Sequence, residues 1–244
     1  MSEIKGLLFD KDGTLIEFEQ MWLGVAKRVV VIVAAKYAQD KTVNETALLS
    51  AIGVENNKID FHGLLACNPV EDMSKKWFEM LNPTSTLALF NEDVKQTFLA
   101  EALASPESVK ALSGVKETLE SFKRQGFKLG VATADSKDST LYTLEKAGLL
   151  ELFDFVGYSD GDIAPKPDSA LMERFCQQCQ LKPEQVAMFG DTLCDMSFGR
   201  NSGAKSIGVL SGTSTHSEIH PFADLVISSV ADLTLGHLQQ LEQG

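Results

Sequence analysis

Five short apolar runs, separated by segments of helical character, limit the folds open to this chain more than any other feature of its sequence. The runs are almost continuously apolar, which is typical of parallel strands covered on both faces. Segment 115–126 repeats apolar residues on one helical face and stops at Gly126. This alternation predicts an α/β fold with a doubly wound, Rossmann-like parallel sheet. The runs span residues 4–9, 127–133, 186–190, 205–210 and 224–228, and 152–158 is a further candidate.

Residues 17–105 break this alternation, because they contain several helical patterns and no strand-like run. The sequence therefore predicts two domains. Residues 1–16 and 106–244 would form a Rossmann-like core domain, and residues 17–105 would form a helical domain inserted after the first strand. The helical patterns of the insert cover residues 19–38, 44–52, 70–81 and 91–104.

The balance of charges excludes some classes of partner. The chain has 34 acidic and 22 basic residues and a formal net charge of −12, whereas a nucleic-acid-binding surface needs a surplus of lysine and arginine. The longest aliphatic stretch, residues 29–35, falls well short of the roughly 20 apolar residues that a membrane span needs. No signal-peptide pattern opens the chain, and four cysteines without such a signal suit a reducing compartment. We expect a cytoplasmic protein that binds neither nucleic acid nor membrane.

Acidic residues follow the first and third predicted strands at their carboxyl ends, where open α/β sheets bind ligands. Asp10 and Asp12 follow the first strand, and Asp191 and Asp195 follow the third. If the chain stays extended after the first strand, the Asp10 and Asp12 side chains leave the same face about 7 Å apart. Four converging carboxylates would repel one another, and a hard divalent cation removes that repulsion. Ligation by oxygen alone favours Mg²⁺ over zinc.

These residue types suit phosphoryl transfer, which depends mainly on positioning and on neutralising the charge of the phosphoryl oxygens. A carboxylate nucleophile divides hydrolysis into two steps, and a neighbouring acid protonates the leaving alcohol and then activates water. The spacing of Asp10 and Asp12 suits that division of labour. Lys166 lies in the loop IAPKPDSA, and Thr133 and Ala134 lie at the carboxyl end of the second predicted strand.

Four motifs occur in order along the chain: LLFDKDGTL, VATADS, PKPD with Lys166, and MFGDTLCD. As a set, they resemble the four motifs of the haloacid dehalogenase superfamily of phosphohydrolases. The resemblance implies that Asp10 is the nucleophile and a Mg²⁺ ligand. It implies that Asp12 is the general acid and base, and that its backbone carbonyl is a further metal ligand.

The same resemblance implies roles for the other motif residues. Thr133, Ala134 and Lys166 would hold the phosphoryl oxygens of the substrate, with Lys166 counted among the catalytic residues. Asp191 would ligate Mg²⁺ directly, and Asp195 would ligate it or orient its surroundings. Residues 17–105 would form the family's helical cap, which closes over the site and selects the substrate.

Two positions bear on the subclass. Dehalogenases of the superfamily lack a carboxylate at the position of Asp12, and an acid there is what a phosphomonoester leaving group needs. Many relatives have asparagine at the position of Ala134, so the finer contacts of that loop differ from the usual pattern. We expect a Mg²⁺-dependent phosphatase that is similar to the phosphoglycolate phosphatase branch and acts on a small phosphorylated metabolite.

Two other functions remain open at this point. A sugar-phosphate mutase of the β-phosphoglucomutase type would use the same four motifs and shield its intermediate from water. A non-catalytic binding protein would keep the same fold, although it would have no need for both Asp10 and Asp12. For the oligomeric state, the sequence leaves two possibilities open, a monomer or a homodimer.

Overall fold

The first strand of the chain lies inside the main sheet, where strands from later in the chain pair with it on both sides. The computed structural model describes residues 3–38, 43–60, 62–104, 109–159 and 163–243. Six strands form a parallel sheet, and two more form a separate antiparallel hairpin. The strands are β1 (Gly6–Phe9), β2 (Val54–Glu55), β3 (Lys58–Ile59), β4 (Lys128–Ala132), β5 (Phe155–Gly157), β6 (Val186–Gly190), β7 (Lys205–Val209) and β8 (Leu225–Ile227).

The direction of strand addition reverses at β1, since the sheet order is β5-β4-β1-β6-β7-β8. The chain passes from β1 to β4 and outward to β5, then crosses to β6 on the other side of β1 and continues outward to β7 and β8. The carboxyl ends of β1, β4 and β6 therefore meet at the topological switch point, where α/β sheets bind ligands. The predicted α/β fold with its parallel sheet is confirmed, and the five main strands lie within two residues of their predicted bounds.

The chain divides into two compact units, Met1–Phe18 with Val109–Gly244 and Glu19–Ser108. The first unit contains the parallel sheet. Its helices are α6 (Val115–Arg124), α7 (Lys137–Lys146), α8 (Ala170–Cys179), α9 (Leu193–Ser202), α10 (His216–Ile219) and α11 (Leu235–Gln243). The catalytic and cap roles predicted for the two parts of the chain remain functional hypotheses.

The sheet is surrounded by apolar side chains. Every residue of β1 and of β6 is buried, and the Phe9 and Phe189 rings stack with their centroids 4.7 Å apart. The helix α6 buries Val115, Leu119 and Phe122, which form the apolar face that the sequence predicts. Each large apolar side chain that is fully buried contributes about 1.5–3 kcal/mol. This core fixes the strand ends that carry the polar residues.

The second unit contains α1 (Glu19–Tyr37), α2 (Glu45–Ala51), α3 (Leu64–Cys67), α4 (Val70–Leu81) and α5 (Leu87–Leu103). Its core is built on Trp77, which is fully buried, stacks on Phe98 at 5.9 Å and donates a hydrogen bond from Nε1 to the Leu48 carbonyl at 2.9 Å. In the part of the chain that the structure describes, no helix has both the length and the apolar character needed to cross a membrane.

The expectation of a strand-free insert is wrong, because β2 and β3 lie in the second unit. Val54 pairs with Ile59 and Glu55 with Lys58, so the connecting turn consists of Asn56 and Asn57. Both have positive φ, 50° and 62°, as a two-residue hairpin turn of the type I′ class requires. The strands are only two residues long, which is too short for an alternating pattern to reveal them.

Candidate active site

Two aspartates lie side by side because their strands are neighbours in register. Phe9 of β1 is paired with Phe189 of β6, and the Asp10 backbone N–H donates to the Phe189 carbonyl at 2.8 Å. Asp10 follows β1 directly, and Asp191 follows Gly190, the last residue of β6. The pairing of β1 with β6 therefore places the two acidic residues at the carboxyl ends of neighbouring strands.

Asp195 completes a cluster of three carboxylates. Asp10, Asp191 and Asp195 each offer an oxygen, and these oxygens all lie within 4.8 Å of one another. All three residues are buried. The ammonium of Lys166 lies 2.6 Å from Asp10 Oδ1 and 2.6 Å from Asp195 Oδ1. The structure thus brings together four of the residues that the sequence singles out, from three separate segments of the chain.

Local hydrogen bonds orient Asp195. It is the third residue of α9, where its Oδ2 accepts from the backbone N–H of Thr192 at 3.1 Å and from the Thr192 hydroxyl at 2.6 Å. The Thr192 hydroxyl in turn accepts from the Asp195 backbone N–H. This reciprocal capping box begins the helix, and it leaves Asp195 Oδ1 directed at Lys166.

Asp191 is held at both oxygens. Its Oδ1 accepts from the Thr14 hydroxyl at 3.2 Å, and its Oδ2 accepts from the backbone N–H and the hydroxyl of Thr213 at 2.9 and 2.8 Å. Gly212 permits this approach, because a Cβ on residue 212 would collide with the Asp191 carboxylate. Gly13, with φ of +77°, turns the chain so that Thr14 reaches the same side chain.

The electrostatics of the cluster favour a bound cation. Burial raises the pKa of Asp10 to about 8, with Lys166 opposing the shift and Asp195 and Asp191 adding to it. Burial and the neighbouring Asp195 raise the pKa of Asp191 to about 6. Buried carboxylates that repel one another are stabilised in their charged form by a metal. An all-oxygen donor set fits a hard divalent ion such as Mg²⁺.

Thr133 and Ala134 directly follow β4, the strand that pairs with β1 in the sheet. The Thr133 hydroxyl accepts from the Asp135 backbone N–H at 3.2 Å, and the Thr133 carbonyl accepts from the Ser159 hydroxyl at 3.1 Å. Ala134 is half-buried. Among the described hydrogen bonds, none joins these two residues to the aspartate cluster, so their predicted contact with phosphoryl oxygens remains a prediction.

Asp12 belongs to a second cluster, which sequence reasoning missed. The strand β1 ends at Phe9 and the chain bends at Lys11, whose carbonyl accepts from the Leu15 and Ile16 N–H groups. The Lys11 ammonium lies 2.6 Å from Asp12 Oδ2 and 3.1 Å from Asp135 Oδ2. The motif DKD gave a local signal for the contact of Lys11 with Asp12 only, because the two residues are adjacent in the sequence. The predicted role of the Asp12 backbone carbonyl as a metal ligand remains a prediction.

Similarity to known proteins agrees with this arrangement. The family model described as haloacid dehalogenase-like hydrolase matches residues 4–203. Pyrophosphatase PpaX of Bacillus velezensis is 31% identical over 130 residues, which are 52% of this chain and 59% of that protein. A PpaX of Bacillus anthracis is 30% identical over 132 residues, or 53% of this chain and 60% of that protein. The matches thus span about three fifths of these curated relatives.

Solved structures share the fold over nearly the whole chain. CbbY from Rhodobacter sphaeroides, in complex with phosphate, has a TM-score of 0.74 at 20% identity and covers 97% of this chain and 99% of its own. A predicted phosphoglycolate phosphatase from Haemophilus somnus has a TM-score of 0.70 at 21% identity, with coverages of 95% and 97%. The family model covers all four motifs, and the fold is the one these proteins share. The chain belongs to the haloacid dehalogenase-like hydrolase family.

Proposed function

We propose that the protein is a Mg²⁺-dependent phosphatase that hydrolyses a small-molecule phosphate monoester through an aspartyl phosphate on Asp10. The observation that carries this proposal is the buried cluster of Asp10, Asp191 and Asp195 with Lys166 between two of its members. A bound cation offsets the negative charge of the three carboxylates, and an anionic phosphoryl group then offsets the positive charge of the cation and Lys166.

The reaction balances in two steps. An oxygen of Asp10 attacks phosphorus, and the bond from phosphorus to the ester oxygen breaks with its electron pair on that oxygen, which takes a proton from the Asp12 carboxyl. The Asp12 carboxylate then removes a proton from water as the water oxygen attacks phosphorus. Phosphate leaves and the Asp10 carboxylate is restored.

Each remaining residue has a defined part in this scheme. Asp10, Asp191 and Asp195 would hold Mg²⁺, together with the Asp12 backbone carbonyl. When bound, the metal supplies positive charge that neutralises the phosphoryl oxygens. Lys166 supplies a second positive charge, and its contact with Asp10 Oδ1 fixes the carboxylate that attacks phosphorus. The Thr133 hydroxyl and the Ala134 backbone N–H would donate to the same phosphoryl group.

The family and its relatives support two candidate substrates. Phosphoglycolate is our first candidate, because the motifs resemble the phosphoglycolate phosphatase branch. Pyrophosphate, an anhydride whose leaving group is phosphate instead of an alcohol, is a second candidate outside the monoester class, because the curated relatives are named pyrophosphatases. We propose that the helical unit acts as the cap that selects among small phosphorylated metabolites. We also propose that the protein acts as a monomer or homodimer, in the cytoplasm, without nucleic acid or membrane.

The first experiment measures release of p-nitrophenol from p-nitrophenyl phosphate, with Mg²⁺ or with EDTA. Turnover should require Mg²⁺, and Asp10→Asn should abolish it, because unaided phosphomonoester hydrolysis is so slow that enzymes accelerate it by up to about 10²¹-fold. Asp224→Asn is the matched control, since Asp224 lies at the opposite, amino edge of the sheet, where it accepts from the Ser206 N–H. Turnover by Asp10→Asn at the wild-type rate would refute the nucleophile assignment.

A substrate panel separates the remaining functions. Phosphoglycolate, pyrophosphate and glucose 1-phosphate are compared by kcat/KM for phosphate release. Conversion of glucose 1-phosphate into an isomeric phosphate without release would identify a mutase. Absence of turnover on every compound, including p-nitrophenyl phosphate, would identify a non-catalytic binding protein. Rapid quenching and mass measurement of the intact chain should show one added phosphoryl group on the wild type and none on Asp10→Asn.

A further inference from the structure

A lysine with no exposed surface lies between two carboxylates that belong to different motifs. The Lys11 side chain is fully buried, and its ammonium contacts Asp12 Oδ2 at 2.6 Å and Asp135 Oδ2 at 3.1 Å. The Asp12 and Asp135 side chains are themselves only 17% and 16% exposed. Burying an ammonium costs free energy unless the ammonium is paired with an anion. The two carboxylates therefore compensate the positive charge of Lys11.

The two carboxylates beside Lys11 favour its charged form. Burial lowers the pKa of its ammonium, but attraction to Asp12 and Asp135 outweighs that effect and holds the pKa above its ordinary value. Burial raises the pKa of Asp135, and attraction to Lys11 opposes the shift. The cation therefore acts as a fixed point of attachment for both carboxylates.

The groups around this cation are held by the backbone. The Lys11 carbonyl accepts from the N–H groups of Leu15 and Ile16 at 2.9 and 3.0 Å. Asp135 Oδ1 accepts from the Ser136 N–H at 2.7 Å at the start of α7, and the Asp135 N–H donates to the Thr133 hydroxyl. Because a carboxyl group is planar, the contact of Lys11 with Asp12 Oδ2 also sets the direction of Oδ1, the oxygen that would carry the proton.

We propose that Lys11 is a positioning residue that, together with Asp135, holds the Asp12 carboxyl in the orientation needed for proton transfer. The inference rests on the proposed function, in which Asp12 protonates the leaving alcohol. Lys11 touches neither substrate nor metal in this scheme. It acts only through Asp12, and it connects the first motif to the second.

The choice of leaving group distinguishes a positioning role of Lys11 from a purely structural one. An alkyl phosphate needs its ester oxygen protonated as it leaves, whereas p-nitrophenolate leaves near neutral pH without a proton. The parameter kcat/KM reports the steps up to departure of the leaving group. A misplaced Asp12 should therefore lower kcat/KM for an alkyl phosphate far more than for p-nitrophenyl phosphate, while a general loss of structure lowers both equally.

Four variants make up the experiment. Lys11→Met replaces the lysine with an uncharged side chain of similar length. The double variant Lys11→Met with Asp135→Asn removes the cation together with one carboxylate, so that its folded state carries less unpaired charge. Asp12→Asn removes the acid itself. Lys128→Met is the matched control, because Lys128 pairs with Asp154 at the amino end of β4. A general acid contributes about 10²–10⁴-fold, so we expect the alkyl-to-aryl ratio of kcat/KM to fall at least about tenfold in both Lys11 variants.

The outcomes separate this inference from the proposed function. If the wild type hydrolyses neither substrate, the proposed function fails. If Asp12→Asn leaves the alkyl-to-aryl ratio unchanged, the assignment of Asp12 as the acid fails. If Asp12→Asn lowers the ratio but the folded Lys11 variants do not, only the positioning role of Lys11 is refuted. A ratio that falls in the Lys11 variants and not in Lys128→Met supports it.

Discussion

At the scale of single residues, Asp191 shows how the cluster is held in place. Its two oxygens accept from hydroxyl groups on opposite sides, from Thr14 in the turn after β1 and from Thr213 in the loop after β7. Residues that hydrogen-bond to a metal ligand commonly change metal affinity when they are removed. Because Asp191 is a proposed Mg²⁺ ligand, Thr213 is expected to act on metal binding through Asp191 without being a ligand itself.

Replacing Thr213 with valine tests this expectation. Thr213→Val removes the hydroxyl donor and keeps the backbone donor, so we expect Mg²⁺ affinity to fall by about tenfold. The affinity is measured from the Mg²⁺ dependence of p-nitrophenyl phosphate turnover and from titration calorimetry. Thr213→Ser retains the hydroxyl and should bind Mg²⁺ as the wild type does. Equal affinity in the valine and serine variants would mean that the hydroxyl contributes nothing to the site.

At this scale, the sequence predicts several residues of the site but not all of the contacts that hold them. Asp10, Asp191 and Asp195 were identifiable because each lies directly after an apolar run or at the start of a helix. The contacts of Asp191 with Thr213 and of Lys11 with Asp135 were not identified. They join residues 22 and 124 positions apart along the chain, and such contacts depend on how loops at neighbouring strand ends fold, which no local pattern specifies.

At the scale of secondary-structure elements, long periodic segments were predictable and short ones were not. The strands β4, β6 and β7 each bury at least four consecutive residues, and this produces the apolar runs seen in the sequence. The hairpin of β2 and β3 has only two pairs of residues. Its signal was the pair Asn56-Asn57, since asparagine tolerates the left-handed backbone better than most residues.

The hairpin turn gives a prediction for the stability of the second unit. Asn57 has φ of 62°, a conformation that glycine adopts freely and that costs an ordinary L-residue about 1–2 kcal/mol. Asn57→Gly should therefore leave the free energy of unfolding unchanged or slightly raised, while Asn57→Val should lower it by about 1–2 kcal/mol. Urea denaturation followed by circular dichroism measures both. A valine variant as stable as the glycine variant would show that the turn does not constrain this residue.

At the scale of the whole molecule, two buried carboxylates of the cluster, those of Asp10 and Asp191, link stability to pH and to metal. In the unfolded chain these groups lose their protons near the ordinary carboxyl pKa of about 3.9–4.3. In the folded chain the pKa values of Asp191 and Asp10 are raised to about 6 and about 8. The folded state therefore binds more protons between these values, and stability falls as pH rises through this window.

The expected result is a melting temperature in EDTA that decreases from pH 5 to pH 8. Asp10→Asn removes the group with the larger shift and should show a weaker decrease. Mg²⁺ at about a hundred times its Kd should raise the melting temperature at pH 8 by about 5–10 °C, from a binding contribution of about 2.7 kcal/mol. The increase should be smaller at pH 5, where protons compete with the metal. A pH-independent melting temperature in EDTA would contradict the raised pKa values.

The inner position of β1 has a consequence for biosynthesis. The strand β1, which directly precedes the proposed nucleophile Asp10, is translated before its two hydrogen-bonding neighbours, β4 and β6, which end at Ala132 and Gly190. At roughly 5–20 residues per second, β6 is completed on the order of ten seconds or more after β1. During that interval the nascent chain carries an apolar strand with unsatisfied edges, so chaperone binding to β1 would protect the segment that leads into the proposed nucleophile.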